Sequence, residues 1–256
     1  MPRPLALLIH SGGFTSRQWR KLAHRLAPTH DVLAPDLIGY ADDRWPPGVP
    51  FHFRLDVDRL AGMLDRAADV VGHSYGGLLA LQLALARPEL VRSLALYEPV
   101  AFGVLRGPGA DAADAAAYAG LALPAYHADA DGVDEGWLTA FVDWWNGPGA
   151  WAALAEPTRA GFRAVAWKVH QEVASLTADT TDRARYGTIA VPTLLLGGGR
   201  TAPTERRTLE RLAEALPRAR LELFPDMGHM GPITHAEQVG DAIAAHLAAA
   251  AGSPSG

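Results

Sequence analysis

The sequence predicts an α/β fold in which a mostly or fully parallel sheet of about six strands carries helices on both faces. Short, continuously apolar segments, which are typical of buried parallel strands, alternate with helical patterns in residues 1–102 and again in residues 188–256. The block between them, residues 103–187, has helical patterns only. One apolar segment also leads directly into a glycine-rich turn followed by a helix. Together these observations indicate a sheet-based core with a helical insertion.

The elements follow one another in a regular order along the chain. Strands are predicted at residues 4–10, 31–36, 69–71, 91–99, 190–196 and 220–224. Helices are predicted at residues 16–26, 55–64, 75–86, 204–216 and 234–249. Because strands and helices alternate, neighbouring strands are expected to run parallel.

The two alternating parts are predicted to form one core domain, residues 1–102 and 188–256, and residues 103–187 an inserted helical cap. Most of the seven tryptophans lie in this block, at Trp137, Trp144, Trp145, Trp151 and Trp167. Most of these rings are expected to form the core of the cap itself. One or two of them are expected to face a pocket, since ligand sites are lined by apolar and aromatic side chains.

Composition excludes several classes of function. The net charge is −5 and no basic stripe is visible, which argues against nucleic acid or an anionic membrane as a partner. The absence of cysteine excludes disulfides, thiolate metal sites and a cysteine nucleophile. No signal-peptide pattern and no apolar run long enough to span a membrane is present, so we expect a cytoplasmic protein. No cofactor or metal motif is found, and the sequence does not indicate an oligomeric state.

The glycine-rich turn is the sequence Gly72-His73-Ser74-Tyr75-Gly76. A serine between a strand and a helix in this pattern occupies a sharp turn with its hydroxyl exposed above the sheet, and the glycines allow close backbone packing. The first turn of the helix directs backbone N–H groups toward the group that the serine attacks. We therefore interpret Ser74 as a nucleophile, the alternative being an ordinary serine in a glycine-rich turn.

With three further segments, this motif resembles the α/β-hydrolase family over nearly the whole chain. The four segments are residues 10–13 (His-Ser-Gly-Gly), 34–40, 72–76 and 224–229 (Phe-Pro-Asp-Met-Gly-His). The resemblance implies an oxyanion loop after His10, a nucleophile elbow at Ser74 and a catalytic base at His229. It also implies structural roles for His10 and His73. The chain lacks sequence for the family's first antiparallel strands, so all of its strands are expected to be parallel.

The chain departs from the family pattern at the catalytic acid. Many relatives carry an aspartate where this sequence has Thr201, which cannot balance an imidazolium charge. Glu98 ends the strand that follows the serine's own strand and helix, at the sheet edge where active-site groups gather, so it is the preferred acid. The alternatives are that Glu98 is only structural, that Asp226 supplies the acid close to His229, or that Glu205 does.

These residues predict a specific chemistry. His229 would take the proton of Ser74 as the serine attacks, and Glu98 would orient the imidazole. The backbone N–H of Tyr75 and that of Gly12 or Gly13 would bind the oxyanion. Four side chains near these segments are predicted to line the substrate pocket: Phe14, Trp144, Trp145 and Met230.

The sequence thus predicts a cofactor-independent serine hydrolase of the carboxylic ester type. Its substrate would be a small, largely apolar ester, thioester, lactone or related acyl compound. A second hypothesis, motivated by the empty acid position, is a binding protein that keeps this fold and turns over slowly or not at all. A third is a cyclase of secondary metabolism, which no feature of the sequence tests.

Overall fold

The computed structural model describes residues 3–121 and 133–251. Six strands form one sheet in the order β2-β1-β3-β4-β5-β6, and every neighbouring pair is parallel. The strands are β1 (Leu5–Ile9), β2 (Asp31–Leu33), β3 (Ala68–His73), β4 (Val91–Tyr97), β5 (Thr193–Gly198) and β6 (Ala219–Phe224). The predicted fold class is confirmed. The predicted strand at residues 190–196 begins only at Thr193, because Pro192 has no N–H to donate to the sheet.

Helices lie on both faces of the sheet. Those of the described residues are α1 (Arg20–Leu26), α2 (Arg54–Gly62), α3 (Tyr75–Ala86), α4 (Ala112–Ala119), α5 (Glu135–Asn146), α6 (Ala150–Ala153), α7 (Glu156–Ala178), α8 (Arg183–Tyr186), α9 (Pro203–Ala215), α10 (Gly231–Thr234) and α11 (Ala236–Ala251). Short 3₁₀ turns occupy Ser16–Trp19, Pro88–Leu90 and Phe102–Leu105. No helix in these ranges is both long and apolar enough to cross a membrane.

The core lies on both faces of the sheet, because successive side chains of a buried strand point to opposite sides. Val70 and Leu94 belong to the larger apolar cluster, whereas their neighbours Val71 and Ala95 belong to the smaller one. The smaller cluster contains the buried side chains of α1 and α11. The larger cluster includes α2, α3 and the inward faces of α5 and α7.

Between β4 and β5 the described residues form helices and turns but no strand. The long helix α7 and the tryptophan-rich helix α5 both come from this block, and both contribute side chains to the cavity described below. The carboxyl ends of β3 and β4, where Ser74 and Glu98 follow the strands, lie side by side in the sheet. The fold thus brings residues that follow the strands, and residues from the helices between β4 and β5, to one edge of the sheet.

Candidate active site

The turn between β3 and α3 holds Ser74 in a strained backbone conformation, with φ 55° and ψ −118°. A non-glycine residue at positive φ is uncommon and is found where the surrounding structure enforces it. Here close packing enforces it, since a Cβ at Gly72 would overlap the carbonyl group of Gly76 and one at Gly76 would overlap the carbonyl of Ile9. The two glycines therefore allow β1, β3 and α3 to approach closely enough to present the serine.

Ser74, His229 and Glu98 form a continuous hydrogen-bonded chain. The Nε2 atom of His229 lies 3.0 Å from the Oγ of Ser74, and its Nδ1 lies 2.7 Å from Oε2 of Glu98. All three side chains are buried, with 6%, 4% and 0% of the Ser74, His229 and Glu98 surfaces exposed. Three separate parts of the chain supply them: the β3–α3 turn, the loop after β6 and the end of β4.

The carboxylate of Glu98 is fully hydrogen-bonded in its buried position. Its Oε1 accepts the N–H of Gly198 at 2.7 Å, and its Oε2 accepts the hydroxyl of Thr201 at 2.8 Å as well as the His229 contact. Hydrogen bonds of this kind compensate the loss of water around a buried charge. Thr201 occupies the position at which sequence analysis found no acid, and its hydroxyl donates a hydrogen bond to Glu98 instead. Glu98 itself has φ 44°, so its backbone is strained too.

The two alternative acids do not contact His229 in this structure. Asp226 is 85% exposed and forms an ion pair with Arg200 at 3.1 Å. Glu205 is buried in the first turn of α9, and neither of its carboxylate oxygens has a partner among the described residues. Burial and the charge of Glu98 raise the pKa of Glu205 well above its ordinary value. A protonated Glu205 avoids a second negative charge beside Glu98.

His10 and His73 are held in place by backbone contacts. His73 donates from Nε2 to the carbonyl of His229 at 2.8 Å, and His10 accepts the N–H of Leu37 at 3.0 Å. Burial lowers the pKa of His10 to about 4 and the pKa of His73 well below its ordinary value. Both imidazoles are therefore neutral near pH 7, and the contact from His73 fixes the backbone of the loop that carries His229.

In the loop after β1 the backbone N–H of Gly12 has no partner among the described residues, unlike those of its two neighbours. The N–H of Ser11 donates to Oε1 of Gln18 at 3.1 Å, and that of Gly13 donates to the hydroxyl of Tyr40 at 2.9 Å. The N–H of Gly12, between them, has no acceptor within residues 3–121 and 133–251. Gly12 and Tyr75 line the cavity beside Ser74, whereas Gly13 lines a neighbouring groove. Of the two glycines predicted to bind an oxyanion, only Gly12 has its amide available.

The cavity beside Ser74 has a volume of about 540 Å³, within the range of small-molecule sites. Its wall is mainly apolar and includes Phe14, Phe141, Trp145, Phe162, Leu176 and Met230. Three of the predicted pocket residues, Phe14, Trp145 and Met230, line it. Trp144 does not, and its indole N–H instead donates to the carbonyl of Gly120 at 3.2 Å. Trp145 therefore faces the cavity and the adjacent Trp144 does not, a difference that the sequence alone could not show.

The sequence profile of the alpha/beta hydrolase family matches residues 6–242 of this chain. The chain belongs to the alpha/beta hydrolase family. It is 32% identical to a pimeloyl-[acyl-carrier protein] methyl ester esterase from Neisseria meningitidis, over 90% of this chain and 88% of the relative. Lipase LipV from Mycobacterium tuberculosis is 41% identical, but the match covers only 36% of each chain.

Solved structures agree with this assignment. A hydrolase from Pseudomonas aeruginosa superposes with a TM-score of 0.71 at 26% identity, covering 96% of this chain and 90% of that one. An enol-lactonase from Burkholderia xenovorans, at 20% identity, shows the same fold with a TM-score of 0.72 over 97% of this chain and 92% of the other. As a member of this family the chain is a hydrolase, and its relatives named as esterases and lipases support the predicted carboxylic ester type.

One feature of this hydrolase is the contact between Trp145 and His229. Their ring centroids are 4.0 Å apart and their planes are inclined by 22°, so the indole is stacked on the imidazole. Trp145 belongs to α5, so a helix between β4 and β5 directly contacts His229. An indole face attracts a cation, and it can therefore stabilise an imidazolium that forms next to Ser74.

Replacing Trp145 with alanine should lower kcat for an ester substrate about five- to thirtyfold, which corresponds to the loss of one partly buried cation–π contact. Trp145→Phe should retain more activity, because a phenyl ring can still stack on His229. The measurement is steady-state hydrolysis, with Trp167→Phe as the matched control because Trp167 does not line the cavity. Equal activity of Trp145→Ala and wild type would contradict a role for the stack.

A buried group of ionisable side chains lies next to the same cavity. Lys168 Nζ contacts Oδ2 of Asp56 at 3.1 Å and Oε1 of Glu172 at 2.6 Å. Tyr40 donates its hydroxyl to both oxygens of Glu172 at 3.0 and 2.9 Å, and Tyr75 donates to Asp56 at 2.9 Å. We call these five side chains the buried ion network. Sequence analysis missed it, although a lysine and a glutamate four residues apart beside the apolar stripe of α7 are a signal for a paired, buried charge.

The network predicts a pH-dependent stability. Burial raises the pKa of Glu172 from its ordinary 4.5 to about 7, with Asp56 adding to the shift and Lys168 opposing it. Between these pH values the folded protein keeps a proton that the unfolded chain has released, so the free energy of unfolding falls as pH rises. Glu172→Gln removes this titration. In urea unfolding, the free energy of unfolding of the variant relative to that of wild type should rise by on the order of 1–3 kcal/mol from pH 5 to pH 8. A pH-independent difference would contradict the shifted pKa.

Proposed function

We propose that this hydrolase is a cofactor-independent serine esterase that uses Ser74, His229 and Glu98 as its catalytic triad. The observation that supports this best is the hydrogen-bonded chain of the three side chains at the wall of a mainly apolar cavity. The substrate class is a small, largely apolar carboxylic ester, thioester or lactone. We further propose that residues 103–187 act as a cap that covers this substrate.

The geometry suggests the following steps. Ser74 Oγ attacks the acyl carbon, and its proton passes to Nε2 of His229 while Glu98 stabilises the imidazolium. The resulting oxyanion accepts hydrogen bonds from the N–H groups of Gly12 and Tyr75. His229 returns the proton to the departing alkoxide or thiolate, which leaves an acyl-Ser74 ester. A water molecule, deprotonated by His229, then releases the carboxylic acid and restores the serine hydroxyl.

The cavity argues for the substrate class. Its lining offers many apolar side chains and few polar ones, so binding depends chiefly on burying hydrocarbon. A relative that covers most of the chain is named for hydrolysing a methyl ester, and another is a 2-hydroxymuconate semialdehyde hydrolase from Pseudomonas putida, 28% identical over 96% of this chain and 87% of the relative. The first of these names supports ester hydrolysis as the proposed reaction, and the second supports a hydrolase without naming an ester.

The test combines labelling with hydrolysis. A fluorophosphonate probe should label the folded wild-type protein at one site, and peptide mapping should locate the adduct on Ser74. The p-nitrophenyl esters of acetate, butyrate and octanoate should be hydrolysed, with the longer apolar acyl groups giving the lower KM. Folded protein that is neither labelled nor active on any ester would overturn the proposal and favour a binding protein with this fold.

A further inference from the structure

The buried ion network contacts both parts of the chain that carry the proposed oxyanion donors. On one side, the Tyr40 hydroxyl accepts the N–H of Gly13 at 2.9 Å and donates to Glu172. This fixes the peptide that follows Gly12. On the other side, Asp56 accepts the hydroxyl of Tyr75, whose own backbone N–H is the second donor. The two sides meet at Lys168, which contacts both carboxylates.

Glu172 also packs directly against Gly12. A Cβ at Gly12 would come within 2.7 Å of Oε2 of Glu172, so no larger residue fits there while Glu172 keeps its place. Glu172 and Lys168 are each 1% exposed, and both belong to α7 of the insertion. The insertion therefore contributes a buried charged pair immediately behind the oxyanion loop.

The positive charge of Lys168 and the negative charge of Glu172 lie close to Gly12, where the proposed oxyanion forms. Above its pKa of about 7 Glu172 is a carboxylate, and an unpaired carboxylate beside Gly12 would disfavour an oxyanion, because like charges repel strongly in a buried site. Lys168 lies 2.6 Å from Glu172 and 3.8 Å from the centre of the Phe51 ring, so its ammonium is held in place by both. The lysine thereby offsets the negative charge while the carboxylate keeps its hydrogen bonds to Tyr40.

We propose that Lys168 and Glu172 are positioning residues for the oxyanion hole, holding Gly12 through Tyr40 and the start of α3 through Asp56 and Tyr75. This inference rests on the proposed esterase function. It means that the oxyanion hole is complete only when α7 is packed on the core. A displacement of the insertion would then weaken catalysis as well as substrate binding, because the donors of the oxyanion hole lose their support.

The experiment compares Glu172→Ala, Glu172→Gln and Tyr40→Phe on the best p-nitrophenyl ester. Glu172→Ala and Tyr40→Phe should lower kcat about ten- to a hundredfold, less than the loss of an oxyanion donor itself. KM should stay nearly unchanged in Tyr40→Phe, whose side chain does not line the cavity. Glu172→Gln should retain most of the activity, since its amide oxygen still accepts the Tyr40 hydroxyl. In the Tyr40→Phe background, replacing Glu172 with alanine should have little further effect on kcat, because the connection is already broken.

A transition-state analogue separates positioning from general damage. A trifluoromethyl ketone with the preferred acyl chain forms an oxyanion adduct with the serine, whereas the matching secondary alcohol only fills the cavity. Tyr40→Phe, whose side chain does not line this cavity although that of Glu172 does, should weaken the ketone by the same factor as kcat/KM and leave the alcohol unchanged. Glu156→Ala, an exposed glutamate on the same helix, is the control and should behave as wild type.

The outcomes distinguish the two proposals. An active wild type whose Glu172→Ala and Tyr40→Phe variants keep wild-type kcat and ketone affinity would overturn the positioning role and leave the esterase intact. Equal loss of ketone and alcohol binding would also overturn it, because it indicates a damaged cavity. So would a melting temperature so low that the variant is partly unfolded at the assay temperature, because the activity would then be lost with the fold. A wild type that neither hydrolyses esters nor binds the ketone would overturn the proposed function itself.

Discussion

Replacing Ser74 with alanine should lower kcat on the best p-nitrophenyl ester by about a million-fold, the loss expected when the nucleophile of a serine hydrolase is removed. The reason is the geometry at the β3–α3 turn, where Ser74 Oγ is 3.0 Å from His229 Nε2 and no other described side chain takes that position. The small residual rate would come from the oxyanion donors and from substrate binding. Steady-state kinetics and fluorophosphonate labelling both measure the effect.

Ser16→Ala is the matched control for this variant. Ser16 lies in the 3₁₀ turn before α1 and does not line the cavity, so its loss should leave kcat within about twofold of wild type. Substrate binding by Ser74→Ala should also persist, since the cavity wall is unchanged. A Ser74→Ala protein that still hydrolyses esters near the wild-type rate would contradict the assignment of the nucleophile.

The sequence predicts the fold and the three side chains of the proposed triad, because these depend on local patterns and on strand order. Continuous apolar runs define the strands, and parallel strands bring their carboxyl ends to one edge. Ser74 and Glu98 follow two neighbouring strands, so their proximity can be inferred without coordinates. His229 follows the final strand in a segment that resembles a known motif. The structure places all three within hydrogen-bond distance.

The remaining parts of the site depend on how the helices between β4 and β5 and the loop that carries Tyr40 pack around Ser74. Trp144 and Trp145 are adjacent in sequence, and only the rotation of α5 determines that Trp145 stacks on His229. Gly12 and Gly13 are likewise equivalent in sequence, until Tyr40 from a distant loop engages the amide of Gly13. Contacts between distant segments of this kind have no local signature, so the sequence left the two glycines as alternatives and assigned both tryptophans to the pocket, which Trp144 does not line.

Replacing Glu98 with glutamine should lower kcat about a thousand- to ten-thousandfold. The amide has no charge to stabilise the imidazolium, and its NH₂ group can hold the His229 ring in the wrong tautomer. KM should change little, because Glu98 is fully buried behind the histidine and does not line the cavity. Asp226→Asn is the control: its carboxylate is exposed and paired with Arg200, so kcat should stay near wild type.

The contact between Thr201 and Glu98 suggests how lost activity can be recovered. The Thr201 hydroxyl lies 2.8 Å from the same Glu98 oxygen that contacts His229, so an aspartate at position 201 can approach the imidazole once Glu98 is shortened. Glu98→Ala should be as inactive as Glu98→Gln, and Glu98→Ala combined with Thr201→Asp should regain at least about tenfold in kcat. Thr201→Asp alone should lose activity, because two buried carboxylates would compete beside one histidine.

Recovery in the double variant requires that the carboxylate acts on the histidine and not on the fold. If Glu98 were needed only to satisfy the N–H of Gly198, an aspartate at position 201 would restore stability without restoring kcat. Melting temperatures measured beside the kinetics separate these two results. A Glu98→Gln protein with nearly wild-type kcat would instead show that ester hydrolysis here proceeds without a charged partner for His229, and the triad would reduce to Ser74 and His229 supported by the Trp145 ring.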